Sequence, residues 1–443
     1  MIILKEPKKV AKLKIKPTII TRDQHTISRA AISENALKVL YRLKNAGYKA
    51  YLVGGGVRDI LLGRKPKDFD VVSDAKPEQI RELFRNCRLI GRRFRLAHVR
   101  FGNELIEVST FRAAHHVSDQ GEGRTEDGRI IRDNVYGDID DDVWRRDFTI
   151  NALFYNIKDF TIVDYVGGVK DLEAGQLRLI GEPAQRYIED PVRMLRAIRF
   201  SSKLGLRIHP EAEYPISDYA MLLKNIPAAR LFEEMLKLFM GGSALKTFNS
   251  LRHYNLFQYL FPQTDRLLDT QKQDYPHAFI VQALKNTDQR INEGDSVVPG
   301  FLLATLLWGP MRVIAGEHIA NGLSEIEAVQ LAGDTVISRQ ILSTAMPRRF
   351  THMARDIWTL QVRLKKTKRR ATRVLMHPKF RAAYDFLLLR AQAGEGLTEF
   401  VDYWTKEQLE EPLAGKQKIK SGYHKPSSRR RSRKNINKNS TDS

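Results

Sequence analysis

The chain has 443 residues, and its 74 Lys and Arg against 52 Asp and Glu give a formal charge of +22. Its length corresponds to roughly two to four domains, and 42% hydrophobic residues suffice for sizeable cores. A single cysteine, Cys87, excludes an internal disulfide framework and agrees with a reducing compartment. Because no apolar run is long enough to cross a bilayer, the charge predicts a polyanionic partner, with nucleic acid favoured over a membrane surface.

The positive charge is concentrated at the two ends of the chain. Residues 1–24 carry a net +5 and residues 411–443 a net +8, which leaves +9 for everything between them. Both ends are expected to be flexible, since neither has the pattern of a packed element. The densest basic clusters supply candidate RNA-binding residues: Arg369, Arg370, Arg429, Arg430 and Arg431. A solvated helix face and a solubilising tail are the alternative interpretations of these clusters.

The predicted elements begin with a helix that follows Ser33, a suitable N-cap, and ends at Gly47. A short strand at 49–53 then leads into a glycine triplet and a short helix at 57–62. The remaining elements of this α/β region are strand 69–72, helix 77–84, a hairpin of strands 96–101 and 104–110, and segments 149–155 and 161–165. Residues 115–142 are polar and glycine-rich, which predicts a loop. From about residue 183 onward the hydrophobic period is helical.

These patterns predict an α+β fold in which a mixed head, a short sheet with flanking helices, precedes an all-helical neck and body. The predicted divisions are a flexible basic segment at 1–24, the head at 25–180, the neck at 181–245, the body at 246–410 and a disordered Arg/Lys-rich tail at 411–443. The head is expected to carry the chemistry, and the remaining basic helical part is expected to bind the polyanionic partner.

The most informative cluster surrounds the glycine triplet. Asp68 and Asp70 follow it on a predicted strand, where they share one face while Phe69 points into the core. Two carboxylates at this spacing can share a divalent cation, and the backbone N–H groups of Gly55 and Gly56 can approach a triphosphate closely. The combination predicts an in-line transfer at phosphorus. Taken singly, the same features are typical of a solvated strand end and a turn.

Residues 53–72 resemble the signature of class II template-independent nucleotidyltransferases, the family of tRNA CCA-adding enzymes and bacterial poly(A) polymerases. Three further segments resemble motifs of that family, in the family's order: 144–153 (WRRDFTINAL), 164–172 (DYVGGVKDL) and 189–200 (EDPVRMLRAIRF). Residues 83–99 and 377–385 and the Arg-rich tail resemble the bacterial poly(A) polymerase form. The resemblance extends from about residue 24 to the C-terminus.

The resemblance implies roles for individual residues. Asp68 and Asp70 are expected to hold Mg²⁺ or Mn²⁺, and Glu107 and Asp147 are further catalytic candidates. Glu107 alternates with apolar strand residues, so it faces away from the core as a third carboxylate or as an ordinary surface residue. Asp147 either completes the acidic set or orients an arginine. The candidate nucleotide-binding residues are Gly55, Gly56, Arg58, Arg146, Asp190, Arg193 and Arg196.

A helix predicted to begin at Asp190 and Pro191 is the candidate element for choosing the nucleotide. Asp190, Arg193 and Arg196 recur every three residues and share one side, and the resemblance implies that Asp190 and Arg193 contact the incoming base. An N-cap with ordinary ion pairs is the alternative. His98 is predicted to be a packed, hydrogen-bonded core residue rather than a catalytic one.

The resemblance implies a poly(A) polymerase that adds AMP from ATP to RNA 3′-hydroxyl ends without a template, in mRNA polyadenylation and RNA decay or processing. A tRNA CCA-adding nucleotidyltransferase is the alternative. A third hypothesis, an RNA-binding protein with a degenerate site, is disfavoured by the intact Asp68 and Asp70. The expected partners are ATP, RNA 3′ ends and RNA-decay proteins that contact the basic tail, without stable membrane insertion, in the bacterial cytoplasm.

Overall fold

A computed structural model describes residues 16–91, 95–113, 135–270, 275–365 and 371–410. The N-terminal part is a mixed α/β head built on an eight-stranded sheet, and the rest of the described chain is helical. The predicted α+β architecture is therefore confirmed. The tail at 411–443, with Arg429, Arg430 and Arg431, lies outside the described residues, as do Arg369 and Arg370.

The strands are β1 Thr18–Ile20, β2 Ala50–Val53, β3 Asp70–Ser73, β4 Cys87–Ile90, β5 Leu96–Phe101, β6 Glu104–Thr110, β7 Leu153–Asn156, β8 Ile162–Asp164, β9 Gln176–Leu177 and β10 Arg207–Ile208. The first eight form one sheet in the order β1-β8-β7-β2-β3-β6-β5-β4. Only β3 and β6 pair in parallel within this sheet, and β9 and β10 form a separate parallel pair. The parallel pair β3–β6 sits in the middle of the sheet, next to the glycine turn after β2.

The head helices are α1 Glu34–Asn45, α2 Gly55–Leu61, α3 Pro77–Leu83, α4 Ile139–Arg145 and α5 Gly168–Glu173. The neck contains α6 Pro183–Glu189, α7 Val192–Leu204, α8 Pro210–Glu213, α9 Pro215–Tyr219 and α10 Ala228–Phe239. The body contains α11 Ala244–His253, α12 Phe257–Leu260, α13 Pro262–Thr270, α14 Tyr275–Asn292, α15 Pro299–Leu306, α16 Trp308–Ala320, α17 Glu325–Gln340, α18 Arg348–Leu364, α19 Ala371–Leu375, α20 Phe380–Gln392 and α21 Thr398–Glu410. Short 3₁₀ turns cover Arg22–Gln24, Arg29–Ala31, Thr149–Asn151 and Ala220–Asn225.

Local sequence chemistry accounts for the head elements that were predicted. The Ser33 hydroxyl accepts the Ala36 N–H and begins α1, as expected of an N-cap. Pro77 occupies the first turn of α3, where a missing N–H costs nothing. The two-residue turn at Gly102 and Asn103 joins β5 and β6 at the predicted bounds. One face of the resulting sheet is covered by α1 and α3.

The structure corrects three of the predicted boundaries. Residues 18–20 were assigned to a flexible segment, but they form the edge strand β1, which pairs antiparallel with β8. The predicted loop at 115–142 ends early, because α4 begins at Ile139 and its first turn carries three aspartates that favour a helix N-terminus. Helix α7 begins at Val192 with Pro191 as its N-cap. Asp190 therefore lies one residue before the N-cap, whereas it was predicted to be the N-cap itself.

The apolar interior is continuous from the neck into the body. Val192, Leu195 and Ile198 of α7 are fully buried in this core, as predicted. Among the described helices none is by itself long and apolar enough to span a membrane. The bent pair α15 and α16, 53° apart, meets the length and composition criteria only jointly. The apolar side chains of this pair contribute to the body core.

Candidate active site

One row of side chains crosses the sheet on the face opposite α1. The strand register aligns Val53 of β2 with Asp70 of β3, and Asp70 with Glu107 of β6. Glu107 is aligned in turn with His98 of β5, and His98 with Arg88 of β4. Register partners point to the same face of a sheet. The sheet thus places two of the predicted carboxylates, Asp70 and Glu107, side by side.

An acidic cluster forms where this row meets the turn before β3. Asp68 is exposed just before the strand, Asp70 is half-buried at its first position, and Phe69 between them is buried. Burial, together with the charges of Glu107 and Asp68, raises the pKa of Asp70 to about 6, although Arg146 acts in the opposite direction. Asp68 and Glu107 therefore repel the Asp70 carboxylate, and a bound cation would reduce this repulsion.

The donor set fits a hard divalent cation. Carboxylate oxygens are the ligands that Mg²⁺ and Mn²⁺ prefer; Asp70 and Glu107 line the cleft with such oxygens, and Asp68 lies close enough for its charge to act on Asp70. Within the described ranges, no three His, Cys, Asp or Glu side chains converge closely enough to enclose a metal by themselves. Any ion held here would need ligands from water or a substrate, as is usual for Mg²⁺ bound next to phosphates.

The glycine triplet packs directly beneath the acidic cluster. Gly54 has a φ of 72°, and a Cβ there would lie 3.6 Å from Asp70 Oδ2 and 3.9 Å from Arg146 Nη1. Gly55 and Gly56 begin α2, so their N–H groups belong to the first turn, which has no helical acceptors. A Cβ on Gly56 would lie 3.6 Å from the Asp68 carbonyl oxygen. The φ of Gly54 lies in the left-handed region that other residues rarely adopt, so a larger residue there would strain the turn next to Asp70.

Arg146 brings positive charge to the same cleft. Its Nε and Nη2 donate to Asp142 Oδ2 at 2.9 and 2.7 Å, and its guanidinium lies 5.0 Å from the centre of the Phe154 ring. The cleft has a volume of about 280 Å³. The residues that line it are Val53, Asp70, Leu96, Glu107, Ser109, Arg112, Asp142, Arg145 and Arg146. Carboxylate and guanidinium groups therefore line the same cleft, and we refer to Asp70 and Glu107 as its acidic end and to Arg112, Arg145 and Arg146 as its basic end.

The sequence prediction missed most of the basic end. Burial and three neighbouring arginines lower the pKa of Arg145 to about 9. Those neighbours are Arg112, Arg186 and Arg193. A bound polyanion would reduce the repulsion among these guanidinium groups, just as a bound metal ion would reduce the repulsion among the carboxylates at the acidic end. The Arg145-Arg146 doublet was the available signal, but only its second member was selected.

Arg58, predicted to contact the triphosphate, is engaged inside the protein. It is 5% exposed, and its Nη1 donates to Asn151 Oδ1 at 2.6 Å. Its Nε and Nη2 donate to Asp59 at 2.8 and 2.6 Å, and its guanidinium lies 5.1 Å from the Phe200 ring centre. Arg58 thus connects α2 to the 149–151 turn and to α7. These contacts hold in place the helix that begins at Gly55 and Gly56.

Asp147 is directed towards the neck. Its Oδ2 accepts Arg196 Nε at 2.6 Å, while Oδ1 accepts the Phe148 N–H and the Asn151 amide at 2.8 and 3.1 Å. Burial opposes its ionisation, but the Arg196 charge and these hydrogen bonds lower its pKa to about 2. The charged groups that shift Asp70 do not include Asp147. Of the two predicted alternatives, the geometry matches the one in which Asp147 orients an arginine.

The three candidate nucleotide-binding residues of the neck have separate partners. Asp190 accepts the Val192 N–H at 3.3 Å and Arg230 Nη2 at 2.8 Å, so it retains a capping contact although the helix starts later. Arg193 is buried, and its Nη1 donates to Glu189 Oε2 at 3.1 Å and to the Arg186 carbonyl at 2.7 Å. Arg196 is paired with Asp147, and Arg230 of α10 was not anticipated.

Comparison with known proteins defines the class first. A family model described as "Poly A polymerase head domain" matches residues 50–178. The "Probable RNA and SrmB- binding site of polymerase A" matches 205–268, and the "Polymerase A arginine-rich C-terminus" matches 321–438. The crystal structure of the Bacillus stearothermophilus CCA-adding enzyme in complex with CTP has the same fold, with a TM-score of 0.59 and 24% identity over 85% of this chain and 82% of that one. These matches place the fold among the nucleotidyltransferases.

Sequence relatives define the family within that class. The poly(A) polymerase I of Escherichia coli O157:H7 is 53% identical over 426 residues, which cover 94% of this chain and 91% of that protein. The CCA-adding enzyme of Lactobacillus helveticus is 39% identical over 213 residues, 48% of this chain and 51% of that enzyme. This chain belongs to the poly(A) polymerase I family, and the predicted resemblance is confirmed.

Proposed function

We propose that this chain is a polynucleotide adenylyltransferase, which joins AMP from ATP to the 3′-hydroxyl of RNA and releases diphosphate. The observation that carries the proposal is the 53% identity to poly(A) polymerase I over 94% of the chain, body included. The CCA-adding relative matches only about half of the chain, which favours this function over the predicted alternative. Asp70 lines the cleft and the Asp68 charge acts on it, so the two carboxylates that the proposed reaction would use lie close together.

The acidic end of the cleft is the proposed place of chemistry. Asp68, Asp70 and Glu107 would hold Mg²⁺ or Mn²⁺, which when bound lowers the pKa of the attacking hydroxyl and neutralises charge on the phosphates. The parallel pairing of β3 with β6 aligns Asp70 with Glu107, so the backbone that carries the two carboxylates is set before substrate arrives. This rigidity limits the reorganisation needed during the reaction.

The basic end would receive the triphosphate. Arg145 and Arg146 line the cleft beside the carboxylates, and the N–H groups of Gly55 and Gly56 lie at the start of α2 close to Asp68. Guanidinium and backbone N–H donors suit phosphate oxygens, and they can hold the leaving diphosphate while its charge develops. Arg58 would act indirectly here, by fixing α2 through Asn151.

The neck would supply the contacts to the base. Asp190 and Arg193 lie at the start of α7 and offer an acceptor and donors, which together can read a base edge bearing both kinds of group. Their partners Arg230 and Glu189 restrict the positions that the two side chains can take. We therefore propose the neck side of the cleft as the surface where the nucleotide is chosen.

An incorporation assay tests the function directly. The full-length protein is incubated with a short RNA, Mg²⁺ and each nucleoside triphosphate in turn, and the products are resolved by length. Long tails made from ATP alone are expected. Addition limited to three nucleotides, from CTP and then ATP and on tRNA only, would support the CCA-adding alternative. Tight RNA binding without any incorporation would support an RNA-binding protein with a degenerate site.

The raised pKa of Asp70 predicts how metal use depends on pH. Since this pKa is about 6 in the metal-free protein, protons compete with the metal below that pH, and the apparent Mg²⁺ affinity should fall as the solution is acidified. The measurement is the Mg²⁺ concentration for half-maximal incorporation at a series of pH values from about 8 to about 5. A half-saturating concentration that stays constant over this range would contradict the prediction.

The basic tail predicts the salt dependence of RNA binding. Residues 411–443 carry a net +8, so their deletion should weaken RNA binding and flatten its dependence on salt concentration, because fewer counterions are released. The rate at saturating RNA should change little, since the site lies in the head. Binding isotherms at several salt concentrations measure the slope. An unchanged slope after truncation would mean that the tail only solvates the protein.

We also propose a cellular location and a class of protein partner. The single cysteine agrees with a cytoplasmic location. An interaction of the tail with RNA-decay proteins rests on its basic composition, which suits acidic protein surfaces as well as RNA. Pull-down with the tail deleted, in nuclease-treated extract, separates a protein contact from one bridged by RNA.

A further inference from the structure

His98 lies beside the acidic cluster and has no role in the function described so far. It is the register partner of Glu107 across β5 and β6, and its Nε2 lies 3.3 Å from Glu107 Oε1. The His98 side chain is 21% exposed and that of Glu107 is 45% exposed. The prediction of a packed core histidine therefore misses its position, which is partly exposed beside Glu107.

The surroundings of Nε2 single out Glu107 as its partner. This nitrogen is buried from solvent and makes no hydrogen bond of acceptable geometry with any described residue. A buried ring nitrogen without a partner is costly, and the Glu107 carboxylate is already within ion-pair distance. A small rotation of that carboxylate would complete a hydrogen bond. On its other side His98 is aligned with the exposed Arg88, which leaves the carboxylate as the acceptor available in this row.

The two neighbours of Glu107 in the row have opposite effects on it. Asp70 repels its carboxylate, as the raised pKa of Asp70 records, whereas His98 offers an N–H donor. A long glutamate side chain that is nearly half exposed would otherwise turn away from Asp70 towards water. Outer hydrogen bonds of this kind orient metal-binding carboxylates in proteins.

We propose that His98 is a positioning residue, which holds the carboxylate of Glu107 beside Asp70 so that both can bind one divalent cation. The inference rests on the proposed function, because it assigns a support to the third carboxylate of that site. His98 contacts neither substrate nor metal in this scheme. Its effect should therefore appear as a change in metal affinity that depends on Glu107.

The test is direct Mn²⁺ binding to the nucleotide-free, full-length protein, measured from the electron paramagnetic resonance signal of free Mn²⁺. The variants form a matched pair: the amide of His98→Gln can reach the place of Nε2, whereas that of His98→Asn is too short. We expect His98→Asn to weaken binding about 10- to 100-fold, and His98→Gln to retain most of it. Thermal unfolding of both variants shows whether the fold is preserved.

Glu107→Gln completes the experiment. It should weaken Mn²⁺ binding, and adding His98→Asn to it should cause no further loss, since the group to be positioned is gone. Binding that is unchanged in His98→Asn but weakened in Glu107→Gln would overturn the role of His98 while leaving the third carboxylate in place. Unchanged binding in Glu107→Gln would overturn both, and equal losses in the Gln and Asn variants of His98 would mean a purely structural role.

Discussion

Replacing Asp70 by asparagine is expected to abolish AMP incorporation and, at the same time, to stabilise the fold. The substitution removes a metal-binding carboxylate at the centre of the acidic cluster, so the rate should fall by about 10³-fold or more. The stability effect follows from the pKa. Because folding raises the pKa of Asp70 to about 6, its ionised form penalises the native state above that pH, and the penalty disappears as pH falls below it.

Two measurements separate these effects. Incorporation from ATP gives the rate, and urea unfolding at about pH 8 should show a gain of about 1–3 kcal/mol for the variant. Asp218→Asn is the control, since Asp218 is an exposed aspartate on α9 and should change neither quantity. A variant that kept most of its activity would contradict the assignment of Asp70. A variant less stable than the parent at this pH would contradict the conclusion that burial and neighbouring carboxylates raise the pKa of Asp70.

The elements of the head that were predicted well are those whose signals are local. The alternation of apolar residues on both sides of Gly102-Asn103 gave the hairpin with its exact bounds. That turn also fixes the register, so the pairing of His98 with Glu107 was already implied by the sequence. The apolar neighbours of His98 along the strand favour a core position, whereas its partner across the hairpin places it beside a carboxylate.

Elements that depend on distant partners were missed. Strand β1 has three residues and exists because it pairs with β8, some 140 positions later. Helix α4 begins in an acidic run. Such a run is typical of a solvated loop, but its aspartates are also favourable at a helix N-terminus. The side-by-side placement of Asp70 and Glu107 required the parallel pairing of β3 and β6, which no local pattern specifies.

The assignment of Asp147 shows the same limit within the site. Its neighbours in the sequence suggested an active-site carboxylate, and the motif gave no indication of the direction of its side chain. That direction is set by Arg196, which lies 49 residues further along the chain on α7. Because Asp147 pairs with an arginine of the neck, its ionisation is expected to affect the stability of the fold rather than metal binding.

Replacing Arg196 by methionine is therefore expected to destabilise the protein strongly at neutral pH. The Asp147 carboxylate would keep its hydrogen bonds from Asn151 and Phe148 but lose the cation that offsets its burial. The pair keeps some contact with water, since 30% of the Arg196 side chain and 12% of the Asp147 side chain are exposed, so the expected loss is about 2–3 kcal/mol, below the value for a fully buried pair. Lys203→Met is the matched control, because Lys203 is exposed on the same helix and the carboxylate that acts on it, Asp59, stays paired with Arg58. Urea unfolding of both variants at about pH 7 measures the difference.

The pH dependence of this loss identifies its cause. Folding lowers the pKa of Asp147 from 3.8 to about 2, so its ionised form stabilises the native state above about pH 4 and that contribution disappears as pH falls through the folded pKa. Without Arg196, burial raises the pKa of Asp147 in the variant, so the gap in stability between the parent and Arg196→Met should narrow as pH falls from that raised pKa towards about 2. In the Asp147→Asn background, Arg196→Met should cost much less, because no buried charge is left uncompensated. A loss that is independent of both pH and residue 147 would mean that Arg196 stabilises the junction by packing on Phe200 instead, where its guanidinium lies 5.3 Å from the ring centre.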